Sequence, residues 1–580
     1  MMCKATLAWI GSCLCACLLA AWIPRVGAAA ERPNILLIVA EDMNDRVGAF
    51  GDEVARTPSI DALAGQGIRF PNVFTVSGVC APSRSALITG VHAISMGTHQ
   101  MRTSQGVPGS AVKSYEAVPP AQVKAFPELL RAAGYATANF AKKDYQFGEP
   151  FTIWDVDVGS FTSPLEPALW RRLPKDKPFF VMINLMSTHE SRLGPPGERF
   201  EGPWAAMMEA LSKERAKTVA RVTDPAAVTV PPYLPNTASV RASIAQHYDN
   251  IHFMDGQVRQ ILDALDKDGL ADDTIVIWTA DNGDGFPRAK RAAYDSGIKV
   301  PMIVRFPDGR GSGSVRDQLV SFIDLAPTIL WLAGAQVPQF IQGQDFLRGP
   351  ARQYVLAGRD RMDDVLDRVR ALRDSRYQYI RNFQPDVPYF RPLRFRDMFP
   401  AMKALWSGFH ANDLTAVQGF YFTAPRPAEE LYDTQADPDE IDNLAGDHEH
   451  REILVRMRTE LDRRLAEVGD RGSELEIEML KTMWPLLKQP VTAAPAATVD
   501  IDAQGAQHVA LSSTTPGASI GYRLVDDNSS NPWQLYKRTL ILPAGTRLEA
   551  KAIRYGYVES TVTRVGSASA SAATAKVADR

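Results

Sequence analysis

The sequence predicts an α/β protein with a large mixed, mostly parallel sheet flanked by helices, then a smaller α+β subdomain and a C-terminal β-sandwich module. Three observations carry this expectation. Four apolar runs of strand length each end in polar or charged residues, helix-patterned segments lie between them, and the composition changes twice after about residue 350. Continuous apolar runs suit strands covered on both faces by helices, the usual setting of a parallel sheet.

The first 30 residues read as a signal peptide. Lys4 precedes an apolar run from Ala5 to Ile23, and Ala28-Ala29-Ala30 closes it ahead of Glu31. That small-residue site favours cleavage and export over a membrane anchor, so the expected location is secreted or periplasmic, with no membrane span in the mature chain. Four of the five cysteines, Cys3, Cys13, Cys15 and Cys17, leave with the leader. Cys80 then stands alone and has no internal disulfide partner, although export is the usual setting for disulfides.

Residues 31–350 hold the four strand runs. Asn34 to Ala40 ends at Glu41-Asp42, Tyr135 to Ala141 at Lys142-Lys143, Phe179 to Met186 near His189, and Thr274 to Ala280 at Asp281-Asn282. Helices are expected over Pro58 to Gln66, with Thr57 as cap, over Phe126 to Ala133 and over Tyr248 to Leu265. Polar groups at the carboxyl ends of successive strands mark the ligand crevice of such sheets.

Residues 351–488 read as the α+β subdomain, with basic and aromatic residues from Arg359 to Phe399 and a helix carrying Ile453, Met457, Leu461 and Leu465 at four-residue spacing. The Pro/Ala/Thr stretch within 489–500 reads as a linker. Short β-type runs separated by turn signals over 501–565 give the sandwich, and the Ser/Ala-rich 566–580 a disordered tail. At roughly 100 to 200 residues per domain the chain needs several packed units. Its formal charge of −3 becomes two units more negative when Lys4 and Arg25 leave with the leader, so no overall field gathers nucleic acid, and any anion selectivity is local.

Glu41, Asp42, Asp281 and Asn282 form an all-oxygen set suited to one hard divalent cation such as calcium. Cys80-Ala81-Pro82-Ser83-Arg84, followed by Thr89-Gly90, resembles the signature of the sulfatase family, whose fold is alkaline-phosphatase-like. Further pieces fall in family order over roughly residues 33–445: Pro33-Asn34-Ile35 through Glu41-Asp42, Thr57-Pro58-Ser59, Lys142, His189, Asp281-Asn282-Gly283 and Leu431-Tyr432-Asp433. The resemblance implies that a separate formylglycine-generating enzyme oxidises Cys80 to formylglycine. Its hydrate supplies the attacking hydroxyl and completes the calcium ligands, while Arg84 holds it. Lys142, His189 and Lys290 match the positions that bind the sulfate oxygens and protonate the leaving group, with Arg291 as the alternative to Lys290.

Two positions depart from the family pattern. Glu41 stands where most members have Asp, and Asp144 replaces the histidine of Lys-x-His, which makes His189 the stronger leaving-group acid. Two-zinc phosphatases of the same superfamily fit poorly, because the strand tip is Asp281-Asn282 rather than Asp-His and Arg259 stands where a zinc-binding histidine would follow Asp255. Val230 to Thr237, Ala245 to Asp255 and Asp324 to Leu330 are similar to heparan N-sulfatase (sulfamidase) and its bacterial relatives. That similarity implies an N-sulfoglucosamine of heparan-type glycosaminoglycan as substrate, with an O-sulfated sugar or non-catalytic glycan binding as alternatives. His99, Arg102 and the Arg359–Phe395 segment are candidate sugar contacts. The terminal module resembles one appended to bacterial hexosaminidases, implying a spacer, a weak carbohydrate contact or a cap on the catalytic unit.

Overall fold

The strand Asn34–Ala40 (β1) is buried beyond its first residue and sits inside an eight-stranded sheet. Its other strands are Ile68–Phe74 (β2), Ala136–Phe140 (β3), Val156–Val158 (β4), Phe179–Leu185 (β5), Thr274–Ala280 (β6), Lys299–Arg305 (β7) and Val320–Ser321 (β8). They lie in the order β4-β3-β5-β1-β6-β7-β2-β8. All neighbours are parallel except β7, which runs against both β6 and β2. Leu37 pairs with Met182 on one side and Ile277 on the other, so β1, β5 and β6 end side by side. The mixed, mostly parallel sheet is the predicted one. This computed structural model describes residues 32–103, 106–107, 110–194, 199–201, 204–525 and 531–566; the expected leader, and the expected tail beyond Gly566, lie outside them.

The strands that sequence pattern did not mark have local reasons for being hidden. Pro71 lies within β2, whose pairing with β7 shifts register between Phe70 and Val73; proline lacks the N–H a regular ladder needs. The helix over Ala238–Lys267 begins ten residues before the expected Tyr248, with the Thr237 hydroxyl accepting from Val240 N. Buried Ser243, Gln246, His247, Asp249 and Asn250 interrupt its apolar stripe.

Helix Pro58–Gln66 (α1) matches its expected span, but Thr57 does not cap it through its side chain. The Thr57 hydroxyl accepts from Gly48 N and contacts Asp61 instead. The N–H groups of Ser59 and Ile60 donate to Asp255 Oδ1 at 3.0 and 2.9 Å. Asp255 thus caps a scaffold helix. Helix Cys80–Thr89 (α2) is buried at every residue.

The second unit is an antiparallel sheet of Val355–Arg359 (β9), Val369–Arg373 (β10), Tyr377–Asn382 (β11) and Glu429–Asp433 (β12). Helix Arg451–Val468 covers it through Leu454, Met457 and Leu461, packed with Leu356, Leu372 and Tyr379. Much of the Arg-rich segment is tied down inside. Arg359 pairs with Asp367 at 3.6 Å, Arg370 with Asp470 at 2.7 Å, and Arg373 with Asp295 at 3.3 Å. Arg359 and Arg370 brace the subdomain from within, and Arg373 ties it to the main unit through Asp295.

The third unit is a sandwich of two sheets. One contains Ala496–Ile501 (β13), Gln507–Ser512 (β14) and Leu540–Leu542 (β17). The other contains Ser519–Leu524 (β15), Gln534–Leu535 (β16), Leu548–Ile553 (β18) and Thr563–Val565 (β19). β13 begins inside the stretch expected as linker. The module is anchored firmly: Tyr555 is fully buried in the core of the main sheet, stacks on Phe147 at 5.1 Å and donates to Glu128 Oε2 at 2.8 Å.

Candidate active site

Because β1, β3, β5 and β6 are parallel neighbours, their carboxyl ends deliver Glu41-Asp42, Lys142, His189 and Asp281-Asn282 to one place. Asp42 turns out of β1 at φ 44°, a left-handed conformation that aspartate tolerates better than most residues. The fifth contributor is α2, whose first residue is Cys80. Its Sγ lies 3.6 Å from Glu41 Oε2, 3.6 Å from Asp42 Oδ1 and 3.3 Å from Lys290 Nζ. Gly78 permits the approach of the Lys290 loop: Arg291 N donates to Gly78 O at 2.7 Å, and a Cβ at Gly78 would stand 2.2 Å from Ala292 O.

Every carboxylate in this cluster faces a cation. Arg84 donates from Nε to Asp281 Oδ2 at 2.9 Å, from Nη1 to Asn184 Oδ1 at 2.7 Å, and from Nη2 to Glu41 Oε1. Lys142 Nζ donates to Glu41 Oε2 at 2.6 Å, and Lys290 Nζ to both Asp42 oxygens at 2.7 and 2.6 Å. Three carboxylates thus lie against three cations. A His189 ring nitrogen, a Glu41 oxygen and Cys80 Sγ lie within 4.8 Å of one another.

A family model described as Sulfatase matches residues 33–335, the region that supplies all ten of these side chains. An ulvan-active sulfatase of Formosa agariphila is 37% identical over 92% of this chain and 91% of its own length. The chain belongs to the sulfatase family. The human N-sulphoglucosamine sulphohydrolase is 27% identical over 75% of this sulfatase and 90% of its own length. Among solved structures, a 2-O GAG sulfatase superposes with a TM-score of 0.54 at 21% identity, over 77% of this chain and 94% of the other, a likeness of fold. The protein is thus a hydrolase of sulfuric esters.

The electrostatics of the sulfatase site follow from burial opposed by ion pairing. Burial penalises the Glu41 carboxylate, but Arg84 and Lys142 outweigh it and hold its pKa down to about 2. Asp42 is likewise kept ionised against burial by Lys290 and Lys142. Asp281 goes the other way, pushed up to about 7 by burial and by the neighbouring Glu41 charge. Burial, with Asp281 next, drives the Cys80 thiol well above its usual value. With no metal ion beside it, an unmodified thiol here favours its protonated form, a poor nucleophile.

The donor set fits a hard cation. Asn282 Oδ1 is buried with no hydrogen-bond partner among the described residues, while its Nδ2 donates to Asp42 Oδ1 at 3.0 Å. Ligand atoms of Glu41, Asp42, Cys80 and Asp281 lie within 4.8 Å of one another. An orphaned carbonyl oxygen beside three carboxylates is what an oxygen-ligated divalent ion needs. At Glu41 the longer side chain reaches Arg84 and Lys142 while staying beside Cys80.

His189 Nδ1 accepts from Ser191 N at 3.2 Å, which puts the proton of the neutral ring on Nε2. Burial, then Lys290 and Lys142, lower its pKa well below the usual imidazole value. Phe161 packs edge-on against the ring at 5.1 Å. Asp144 is exposed, at φ 56°. Arg291 does not share the position of Lys290; it makes two 2.7 Å bonds to Glu190. Arg102 pairs with Asp363 at 2.8 Å, whereas His99 lines a small cavity behind α2 with Ser77, Pro82 and Asp360.

Three contributors escape sequence reading. Asn184, inside the apolar run of β5, receives Arg84 and donates to the carbonyls of Phe140 and Lys142 at 2.8 and 2.9 Å. Glu190 gives its backbone N–H to Asp42 Oδ2 at 2.6 Å and its carboxylate to Arg291. Thr188 donates to Glu41 O. The one available signal was a lone asparagine in a strand otherwise wholly apolar.

Proposed function

We propose that this sulfatase is exported and releases sulfate from a sulfated polysaccharide, using a formylglycine made from Cys80 by a separate maturation enzyme, together with one calcium ion. The observation that carries this reading is the position of Cys80: first residue of a fully buried helix, within 3.6 Å of two carboxylates and 3.3 Å of Lys290, and too hard to ionise to act as a thiolate. Among the described residues no helix is long and apolar enough to cross a membrane, which is compatible with export.

Glu41, Asp42, Asp281, Asn282 and residue 80 would hold the calcium, which when bound supplies Lewis-acid polarisation of the sulfate oxygens. Formylglycine, in its hydrated form, would supply two hydroxyls on one carbon, one to attack sulfur and one to release the sulfate as the aldehyde re-forms, which neither Cys nor Ser offers. The remaining work falls to side chains. Lys142 and Lys290, each held against a carboxylate, neutralise the sulfuryl charge. Arg84 keeps residue 80 in register with Glu41 and Asp281. His189 carries the proton for the leaving oxygen on Nε2; an anionic ester lying against the two lysines offsets their share of its lowered pKa, the larger share being burial.

The heparan-type N-sulfoglucosamine reading has support from the human relative at 27% identity. The ulvan-active relative, at 37% over nearly the whole chain, favours a different sulfated glycan. The deciding experiment has two parts. Mass spectrometry of the Cys80 peptide from protein made with its maturation enzyme should show aldehyde in place of thiol. Sulfate release is then measured on ulvan oligosaccharides, N-sulfoglucosamine and glucosamine 6-sulfate. Thiol alone at residue 80, with no sulfate released from any of them, would sink the catalytic reading and leave glycan binding.

A further inference from the structure

A cavity of 680 Å³ lies between the terminal module and the edge of the main sheet. One wall comes from Tyr135, Asp155 and Lys177, at the amino ends of β3, β4 and β5; the other comes from Tyr522, Trp533 and Arg538 of the module. The active site lies at the opposite ends of these strands. From Ala136 to Lys142 the chain runs roughly 20 Å at about 3.3 Å per residue.

Both walls are fixed. Tyr555 is locked into the main core, Lys124 Nζ donates to Gly517 O and Ser519 Oγ at 2.7 and 2.6 Å, and Arg131 Nη2 donates to Trp533 O at 3.0 Å across the seam. A spacer hinged on a linker would not be held this way. In a chain of slightly negative net charge the lining carries Arg131, Arg172, Lys177 and Arg538 against one acid among its described residues, Asp155. Arg131 is matched by Asp155 at 2.7 Å and Arg172 by Glu166 at 2.6 Å. Lys177 and Arg538 are exposed and unmatched among the described residues. Beside them Trp533 is positioned by the guanidinium of Arg523 and the ammonium of Lys551, 4.7 and 4.9 Å from its ring.

We propose that this cavity is a second, non-catalytic binding site for a sulfated polysaccharide chain. Lys177 and Arg538 meet its sulfate groups, and Tyr522, with the part of Trp533 that lines the cavity, offers apolar surface to the sugar rings. A linear protein ligand of like charge would use the cations but not the aromatic floor. Holding the polymer here raises its effective concentration at the catalytic site, which lowers KM for long chains and leaves turnover of short sulfated sugars unchanged. The choice of ligand rests on the sulfated-polysaccharide reading above; the test does not depend on turnover.

Binding is measured by calorimetry on the full chain carrying Cys80→Ala, with and without Lys177→Glu and Arg538→Glu, using ulvan and, as a non-carbohydrate polyanion, polyglutamate. Both reversed residues are exposed, and matching melting curves verify the fold. The expected result is a Kd for ulvan raised by about tenfold or more in the reversed protein, with ulvan bound more tightly than polyglutamate by the parent. An unchanged Kd, or polyglutamate bound as tightly as ulvan, overturns the proposal. Because residue 80 is Ala throughout, failure of the hydrolytic reading leaves this result standing, and failure here leaves the hydrolytic reading standing.

Discussion

Asn184 accepts from Arg84 Nη1 at 2.7 Å, and its amide nitrogen is bonded to the carbonyls of Phe140 and Lys142. One buried amide therefore joins the helix that begins at Cys80 to the loop that presents Lys142. Replacing Asn184 by Ala leaves an arginine donor, two carbonyls and the Asn139 side-chain oxygen short of partners, and at roughly 1 to 3 kcal/mol per buried unsatisfied group the expected cost is about 4 kcal/mol or more. Urea unfolding should show the loss, and kcat should fall with it because Lys142 loses its support. Full activity in Asn184→Ala would refute the link.

His189 is tested through the leaving group. His189→Ala should lower kcat on a sugar sulfate by about 100- to 10,000-fold, the usual range for a removed general acid. An aryl sulfate such as p-nitrophenyl sulfate, whose leaving group needs no proton, should lose far less. Equal losses on both substrates would assign His189 to binding instead.

On the proposed calcium reading, Asp281 couples metal binding to pH. Its raised pKa, about 7 in the folded protein, means that the folded state holds a proton the unfolded chain has already released. In the metal-free protein that stabilisation is present below the ordinary aspartate pKa near 4 and is lost as pH rises through about 7. Calcium requires the ionised form, so the rise in Tm between EDTA and calcium should grow from pH 5 to pH 8. A calcium shift independent of pH would exclude Asp281 as a ligand.

Tyr555 is the fourth test. Tyr555→Ala removes a fully buried aromatic ring stacked on Phe147, with an expected cost of about 3 to 5 kcal/mol. The loss should appear in the melting of the whole protein, not of a separate module. A separate low-temperature transition with the main one unmoved would show the module to be independent.

What the sequence made legible follows from periodicity and strand ends. Each apolar run of the central sheet stops at the residues the site uses, so Glu41, Asp42, Lys142, Asp281 and Asn282 were visible as polar tips. Lys290 and Arg291 sit together in a basic run, where spacing from Asp281-Asn282 favours Lys290; the folded chain puts Lys290 3.3 Å from Cys80, while Arg291 spends both terminal nitrogens on Glu190. β13 was hidden because its side chains are largely exposed and Ala-rich, with no buried face to leave a pattern. Asn184 and Glu190 act through partners 100 residues away, Arg84 and Arg291, and no local pattern records such pairs.

The hydrogen bond between Tyr555 and Glu128 joins residues 427 positions apart in the chain. The helix bearing Glu128 packs beside the one that begins at Cys80. During synthesis, then, the amino-terminal two thirds of the polypeptide emerges long before the residue that completes its interior. Non-local contacts of this kind form late. Cys80 is only 1% exposed once they have formed. The core beside the Cys80 helix is thus finished only by the last strands of the chain, and a polypeptide cut short before them would leave the Glu128 side of it open.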